Sequence, residues 1–310
     1  MTKKLSLVVP CFNEEKTVPL FYAALQDVKP TLRGAELEYW FVNDGSEDGT
    51  LAILRDLQQK DPQQVHYISF SRNFGKEAAL YAGLQATTGD YIAVMDADLQ
   101  DPPEQLAEMM AGIEDEGYDV VGTRRIDRGG EPMIRSFFAN TFYWFINKIS
   151  STPIKNGVRD FRLMTRQVVD AVLSMSEYNR FSKGILSWVG FKTKYLSYEN
   201  RDRVGGKTSW SFWKLLRYSI DGIIDFSDAP LNLATLVGFL SFLVSLMGVV
   251  FVITRKIIYG GSVTGWASMV SIILMIGGLQ LLSLGILGKY IGSIYLEAKK
   301  RPIYIIKEKK

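Results

Sequence analysis

The sequence predicts an α/β chain built on a doubly wound, mostly parallel sheet, followed by two transmembrane helices. Three observations predict it. Short apolar runs alternate with amphipathic helical runs through roughly the first two hundred residues. Each apolar run ends in polar residues, at the place where such sheets bind ligands. Two long blocks, 229–254 and 257–288, carry no charge, and each exceeds the roughly 20 residues that span a bilayer core.

In chain order, residues 5–10 read as a buried strand and 14–28 as a helix. A second strand, 37–42, ends in Asn43-Asp44-Gly45-Ser46 and is followed by a helix over 48–59. Strands at 65–70 and 91–95 flank a helix at 76–86, and 119–122 reads as a short fifth strand. Strand by strand, the chain places Asn13 and Glu14, then Asp44, then Arg72 and Asn73, then Asp96 and Asp98, then Arg124 and Arg125 at this end. Five polar termini in succession argue for a nucleotide site.

Two aromatic-rich segments, 134–146 and 210–220, carry basic residues among Trp, Phe and Tyr. They suit helices lying in a membrane interface, or else ordinary core helices. The expected organisation is a cytoplasmic catalytic domain over 1–206, with an interfacial helix at 134–150. A basic loop and juxtamembrane helix follow over 207–228, then a transmembrane hairpin over 229–290 and a basic tail over 291–310. In the hairpin, a turn at 259–265 precedes a span near 266–288. Seven Lys and Arg follow the second block, whereas Arg255 and Lys256 alone lie between the two. Both termini are therefore expected on the cytoplasmic side of the membrane.

Composition excludes several classes. One cysteine, Cys11, rules out an internal disulfide framework, and one histidine, His66, leaves no histidine-based metal site or catalytic triad. The net charge of +3 is modest, and no nucleic-acid partner is expected. No signal peptide, internal repeat or low-complexity segment is read in the chain. Gly288 and Gly292, four residues apart, and Gln280 within the second span suit helix–helix contact, and a homo-oligomer is expected.

The sharpest feature is Val94-Met-Asp96-Ala-Asp98-Leu-Gln100-Asp101. Residues two apart on an extended segment share a face, so Asp96 and Asp98 converge. Adjacent carboxylates repel unless a cation sits between them, and a hard, oxygen-liganded Mg²⁺ or Mn²⁺ is the natural cofactor. Such an ion keeps positions for water and substrate phosphate.

With Val8-Val-Pro-Cys-Phe-Asn-Glu-Glu15, Val42-Asn-Asp-Gly-Ser-Glu-Asp-Gly-Thr50, Ser71-Arg-Asn-Phe-Gly-Lys76 and Met95-Asp-Ala-Asp-Leu-Gln-Asp-Pro-Pro103 in place, the chain resembles the inverting family 2 glycosyltransferases of GT-A (Rossmann-like) fold. Within them it is most similar to the polyprenyl-phosphate glycosyltransferases, including the dolichol-phosphate mannosyl and bactoprenol glucosyl enzymes. The resemblance implies that Pro10, Phe12, Glu14, Asp44 and the Asp96-Ala97-Asp98 segment bind the nucleotide sugar, and that Asp96, Asp98 and Gln100 hold the metal. It implies an acceptor-side carboxylate at Asp160, within Asn156-Gly-Val-Arg-Asp-Phe-Arg162. It also implies a basic loop, Arg203-Val-Gly-Gly-Lys-Thr-Ser209, whose Arg203, Lys207 and Ser209 close over the diphosphate. Asp98, Asp160, Arg203 and Lys207 are the expected catalytic residues. The Gln-x-x-Arg-Trp motif of processive members is missing.

The expected reaction moves one sugar from a nucleoside diphosphate sugar, UDP-glucose by default, to undecaprenyl phosphate with inversion. Negative charge grows on the departing diphosphate, where cations act best. A lipid phosphate is already ionised at pH 7, so Asp160 orients substrate or removes a residual proton, with orientation ahead. A salt bridge to Arg159 or Arg162 is its structural alternative. Arg124 and Arg135 are expected to ligate the acceptor phosphate in guanidinium forks. Arg125 and Arg128 either join them or meet anionic head groups. The competing functions are transfer to another membrane lipid and a non-catalytic membrane scaffold or translocation partner.

Overall fold

A computed structural model of the chain describes residues 3–125, 157–198, 224, 227–259 and 265–310. The first strand, β1 (Lys4–Cys11), is buried along almost its whole length, as a central parallel strand covered on both faces must be. It leads into α1 (Thr17–Val28), then β2 (Glu36–Asn43), α2 (Thr50–Lys60), β3 (Val65–Phe70), α3 (Lys76–Ala86), β4 (Tyr91–Val94) and α4 (Gln105–Glu114). Strands β5 (Val120–Arg125) and β6 (Val158–Thr165), helices α5 (Arg166–Ser174) and α6 (Ser182–Trp188), and β7 (Thr193–Tyr198) follow. The long helices α7 (Ala229–Tyr259) and α8 (Trp266–Lys299) precede a last strand, β8 (Ile306–Lys309).

The described strands form one eight-stranded sheet in the order β7-β5-β6-β4-β1-β2-β3-β8. From β4 through β1 and β2 to β3 the pairing is parallel. Strand β6 runs antiparallel to β4 and β5, and β8 antiparallel to β3. Alternate residues of each strand feed opposite layers. Leu5, Leu7 and Val9 of β1 pack with Phe21 and Leu25 of α1, Leu54 of α2 and Met109 of α4. Val8 faces the other way, towards Leu80 and Leu84 of α3, Val168 and Val172 of α5 and Ile185 of α6. Helices on both faces make the sheet doubly wound, as the sequence predicts.

Helix α1 starts at Thr17 rather than at residue 14. The backbone N–H groups of Glu14 and Glu15 are taken by Thr50 Oγ1 (2.8 Å) and Asp48 Oδ2 (3.2 Å), which keeps these residues in a loop.

The end of the chain differs more. Instead of a basic tail over 291–310, α8 runs on to Lys299 and the chain then returns to the sheet edge. Tyr304 stacks on Phe70 (4.9 Å between centroids) and donates to Gln85 Oε1 at 2.7 Å. Glu308 is gripped by Arg55 and Tyr67.

Two helices, Ala229–Tyr259 and Met269–Lys299, are long and apolar enough to cross a membrane. Their leucine, valine and isoleucine side chains are exposed along the length of both, an apolar surface far larger than a soluble monomer carries. Tyr290 OH donates to the carbonyl of Ser227 at 2.7 Å, and Glu297 accepts the backbone N–H of Tyr178 at 2.7 Å. The start of α7 and the end of α8 therefore lie together, beside the sheet domain.

Candidate active site

The loops at the carboxyl ends of β1, β2, β3 and β4 interlock. Asn13, with φ of +58°, donates its N–H to Ser46 Oγ (2.9 Å) and accepts from Glu47 N–H through Oδ1 (2.9 Å). Gly45 sits at φ +67°, where a Cβ would lie 2.4 Å from the backbone carbon of Arg72, so only glycine lets the β2 and β3 loops meet. Asp44 is buried and accepts the N–H groups of Phe74 (2.6 Å) and Gly75 (3.0 Å). Burial pushes its pKa up, with these two bonds acting against the rise. Both Asp44 oxygens are thus engaged in shaping the turn that starts α3. Around this turn, Pro10 and Glu14 are partly buried and the Phe12 ring is 41% exposed, leaving an aromatic face free beside the β1 loop.

The β4 loop carries the paired carboxylates. Leu99 takes φ of +55°, turning the chain back so that Gln100 N–H reaches Asp98 Oδ1 at 3.2 Å. Ala97 and Asp98 are buried, whereas Asp96 is partly open. The antiparallel register pairs Val94 with Arg162. Asp96, two residues past the end of β4, and Asp160, two back along β6, are brought together by Lys76.

Lys76 closes this arrangement. As the first residue of α3 it sends its ammonium between the two carboxylates, with Nζ 2.6 Å from Asp96 Oδ1, 2.8 Å from Asp96 Oδ2 and 2.6 Å from Asp160 Oδ2. Arg162 lies farther off, 3.8 Å from Asp160 Oδ1. Burial would raise the Asp160 pKa, but Lys76, then Lys183 and Arg162, outweigh it and hold the carboxyl far below the usual range. Burial would lower the Lys76 pKa, and Asp160 and Asp96 instead drive it well above the ordinary lysine value.

Arg159 does not pair with Asp160. It reaches Asp101 Oδ1 (3.4 Å) and Gln100 Oε1 (3.3 Å), so the Gln100 carbonyl expected on a metal is turned towards a guanidinium. Asp101 also accepts from Tyr198 OH, while its Oδ2 is buried without a hydrogen-bond partner.

The structure brings Asp96 and Asp160, expected on the metal and acceptor sides, onto one ammonium, and adds Lys76, Asp101, Arg159 and Tyr198. One signal for Lys76 was present: a lysine at the first helical position opposes the helix dipole and asks for another reason to be there. Arg124 is exposed at the end of β5, and Arg125 is described in its backbone only. Arg128, Arg135, Arg203, Lys207 and Ser209, with the segments 134–150 and 207–223, lie outside the described residues. His66 stacks on Trp40 (4.7 Å) away from the site.

Among the described residues, no group of three or more His, Cys, Asp or Glu is arranged to hold a metal. Asp96 and Asp98 carry hard oxygen donors of the kind a divalent ion takes, with both Asp96 oxygens held by Lys76. Asp101 keeps one orphaned oxygen near the pair, while burial pushes its pKa up and Arg159 offsets its charge.

Residues 6–173 match the family model for glycosyl transferase family 2. The chain is 44% identical over 307 residues to a prophage bactoprenol glucosyl transferase homolog of Escherichia coli (strain K12), covering 99% of each chain. It is 43% identical to the bactoprenol glucosyl transferase of Shigella phage SfX, over 99% of this chain and 100% of that one. Among solved structures, the mannosyltransferase PcManGT from Pyrobaculum calidifontis is similar at 19% identity, with a TM-score of 0.49 over 96% of this chain and 86% of that one.

Proposed function

The chain belongs to glycosyl transferase family 2, and from that membership we propose that it transfers a single sugar from a nucleoside diphosphate sugar to a prenyl phosphate at the membrane. The observation that carries this reading is the end-to-end likeness to bactoprenol glucosyl transferases, which takes in the two apolar helices as well as the sheet domain. The geometry supports the same chemistry. In the transfer, an oxygen of the lipid phosphate bonds to the anomeric carbon as the bond to the diphosphate oxygen breaks, with inversion. The nucleoside diphosphate leaves with its electron pair.

The interlocked β1–β3 loops and the open Phe12 ring offer a cradle for the nucleotide. Asp96 and Asp98 would hold a divalent ion, Mg²⁺ or Mn²⁺, which supplies positive charge to the departing diphosphate. Asp160 is a weak base, because the cations around it stabilise its ionised form. Its part is to orient the sugar or the acceptor, for the phosphate nucleophile is already ionised. Asp44 remains a proposed nucleotide ligand, and it also shapes the α3 turn. Arg124, Arg125, Arg128 and Arg135 remain the proposed acceptor ligands, and Arg203, Lys207 and Ser209 the proposed diphosphate loop. The Tyr178–Glu297 and Tyr290–Ser227 contacts support a site held on the cytoplasmic side of the hairpin, the side that the flanking lysines favour.

The test is sugar transfer by purified protein given undecaprenyl phosphate and a panel of labelled UDP- and GDP-sugars with Mg²⁺ or Mn²⁺. UDP-glucose is the expected donor. Label should enter the organic phase, and both EDTA and Asp98→Ala should abolish it. Release of nucleoside diphosphate without lipid-linked label from any donor would overturn the reading.

A further inference from the structure

We propose that Lys76 is a built-in counter-cation that competes with the divalent ion for Asp96, so that ion binding depends on the incoming donor diphosphate. The inference rests on the metal-assisted transfer just described. Asp96 and Asp160 meet beyond the paired ends of β4 and β6, and their mutual repulsion would otherwise splay the site. The Lys76 ammonium lies within hydrogen-bond distance of both Asp96 oxygens and of Asp160 Oδ2. An Asp96 occupied in this way is a poorer ligand for any second cation.

Lysine is fixed in this position from several sides. Asp44 ties down the N–H groups of Phe74 and Gly75 immediately before it. Gly75 adopts φ of +99°, a conformation open to glycine. The next residue, Glu77, accepts the backbone N–H of Ser182 at 3.2 Å, which anchors the first turn of α3 to α6. The ammonium also sits at the positive end of the α3 dipole. Side-chain stability alone does not account for a cation placed there. With Lys76 on both Asp96 oxygens, that carboxylate offers a free divalent ion less negative potential than it would alone. A bound diphosphate restores the negative charge the ion needs. Ion and donor therefore bind together, and the ammonium stays with Asp160 to keep that carboxylate in position.

The experiment titrates Mn²⁺ into the nucleotide-free, full-length protein, followed by the electron paramagnetic resonance of free Mn²⁺, for wild type, Lys76→Met, Lys76→Gln and Lys76→Arg. Circular dichroism and melting check that each variant is folded, and the two neutral variants serve as alternates if one is not. Losing the ammonium should tighten Mn²⁺ binding by about tenfold while slowing sugar transfer by about a hundredfold. Lys76→Arg, which keeps the charge, should bind Mn²⁺ as wild type does. Unchanged or weaker Mn²⁺ binding in both neutral variants would overturn the proposal, as would tightening in Lys76→Arg. The titration needs no turnover. A wild type that binds Mn²⁺ but transfers no sugar would sink the proposed activity, while the Mn²⁺ titrations of the variants would still decide the role of Lys76.

Discussion

Asp160 shows how much of the site depends on one neighbour. Partial burial would raise the pKa of this carboxyl, but Lys76, Lys183 and Arg162 hold it far below the usual range. The sign follows: a depressed pKa keeps Asp160 charged through the whole acidic range in which the protein stays folded. Its ionisation should therefore put no falling limb into the rate profile between pH 7 and 5. Asp160→Asn keeps the shape and removes the charge, and should lower kcat by about a hundredfold with little change in donor KM, as expected for a group that positions reactants. A wild-type profile that falls through pH 5 in step with a single carboxyl, and flattens in Asp160→Asn, would show that Asp160 is a working base. Residues of this kind were legible in sequence because their spacing within one strand end carries the message. Asp96 and Asp98 are two apart, and Asp160 lies in a recognisable motif. Lys76 was not, because its meaning comes from three elements that meet only in the fold. The Asp101–Tyr198 bond, across almost a hundred residues, was hidden for the same reason.

At the scale of elements, β3 and α3 fall where their patterns place them, since each is long, regular and set off by turn residues. Strand β8 escaped because Ile306-Lys-Glu-Lys is short and its charges read as a tail. Lysines on an outer strand are how proteins keep a sheet edge from pairing further. What holds β8 is mostly tertiary. Just past it, Lys310 N–H bonds Tyr67 O at 3.0 Å and Tyr67 N–H bonds Lys310 O at 3.1 Å, while Glu308 joins Arg55 and Tyr67. Hydrogen bonds from Arg55 and Tyr67 bring the Glu308 pKa from the ordinary 4.5 down to about 2. A lowered carboxyl pKa stabilises the docked strand above pH 4.5, and the gain is lost as pH falls towards 2. Because the pair is largely solvent-facing, Glu308→Gln should speed hydrogen exchange at Tyr67 and Lys310 by only about two- to fivefold at pH 7. The difference between the two proteins should shrink as pH falls below 4.5 and vanish only once pH has fallen through about 2. Tyr304→Ala strips a half-buried ring from Phe70 and should cost about 2 kcal/mol in denaturant unfolding. Equal exchange in Glu308→Gln and wild type at pH 7 would mean that the backbone ladder alone holds the strand.

At the scale of the molecule, the order of elements has a consequence that hydropathy does not reveal. The apolar helices α7 and α8 were plain in the sequence, because helices of globular domains rarely run to such length without a charge. Their insertion between β7 and β8, two strands of one sheet, was not plain. The hairpin is an excursion from the sheet domain rather than an anchor appended to it. Its two ends lie together through Tyr290 and Ser227, and Glu297 touches the Tyr178 loop. Cutting the chain after residue 228 would therefore remove the membrane segment and also strip β8 from β3, baring the edge and the face of Phe70. Replacing residues 229–296 by a short Gly-Ser linker removes the membrane segment alone. The linked protein should melt about 5–10 °C above the simple truncation, given that each kcal/mol moves the midpoint of a domain of this size by about 2–4 °C. It should also stay monodisperse where the truncation associates through its open edge. Differential scanning fluorimetry and light scattering on the two proteins, in the same detergent-free buffer, decide the matter. Equal melting points would mean that β8 adds nothing beyond the hairpin it follows, and the sheet would then end at β3 in every functional sense.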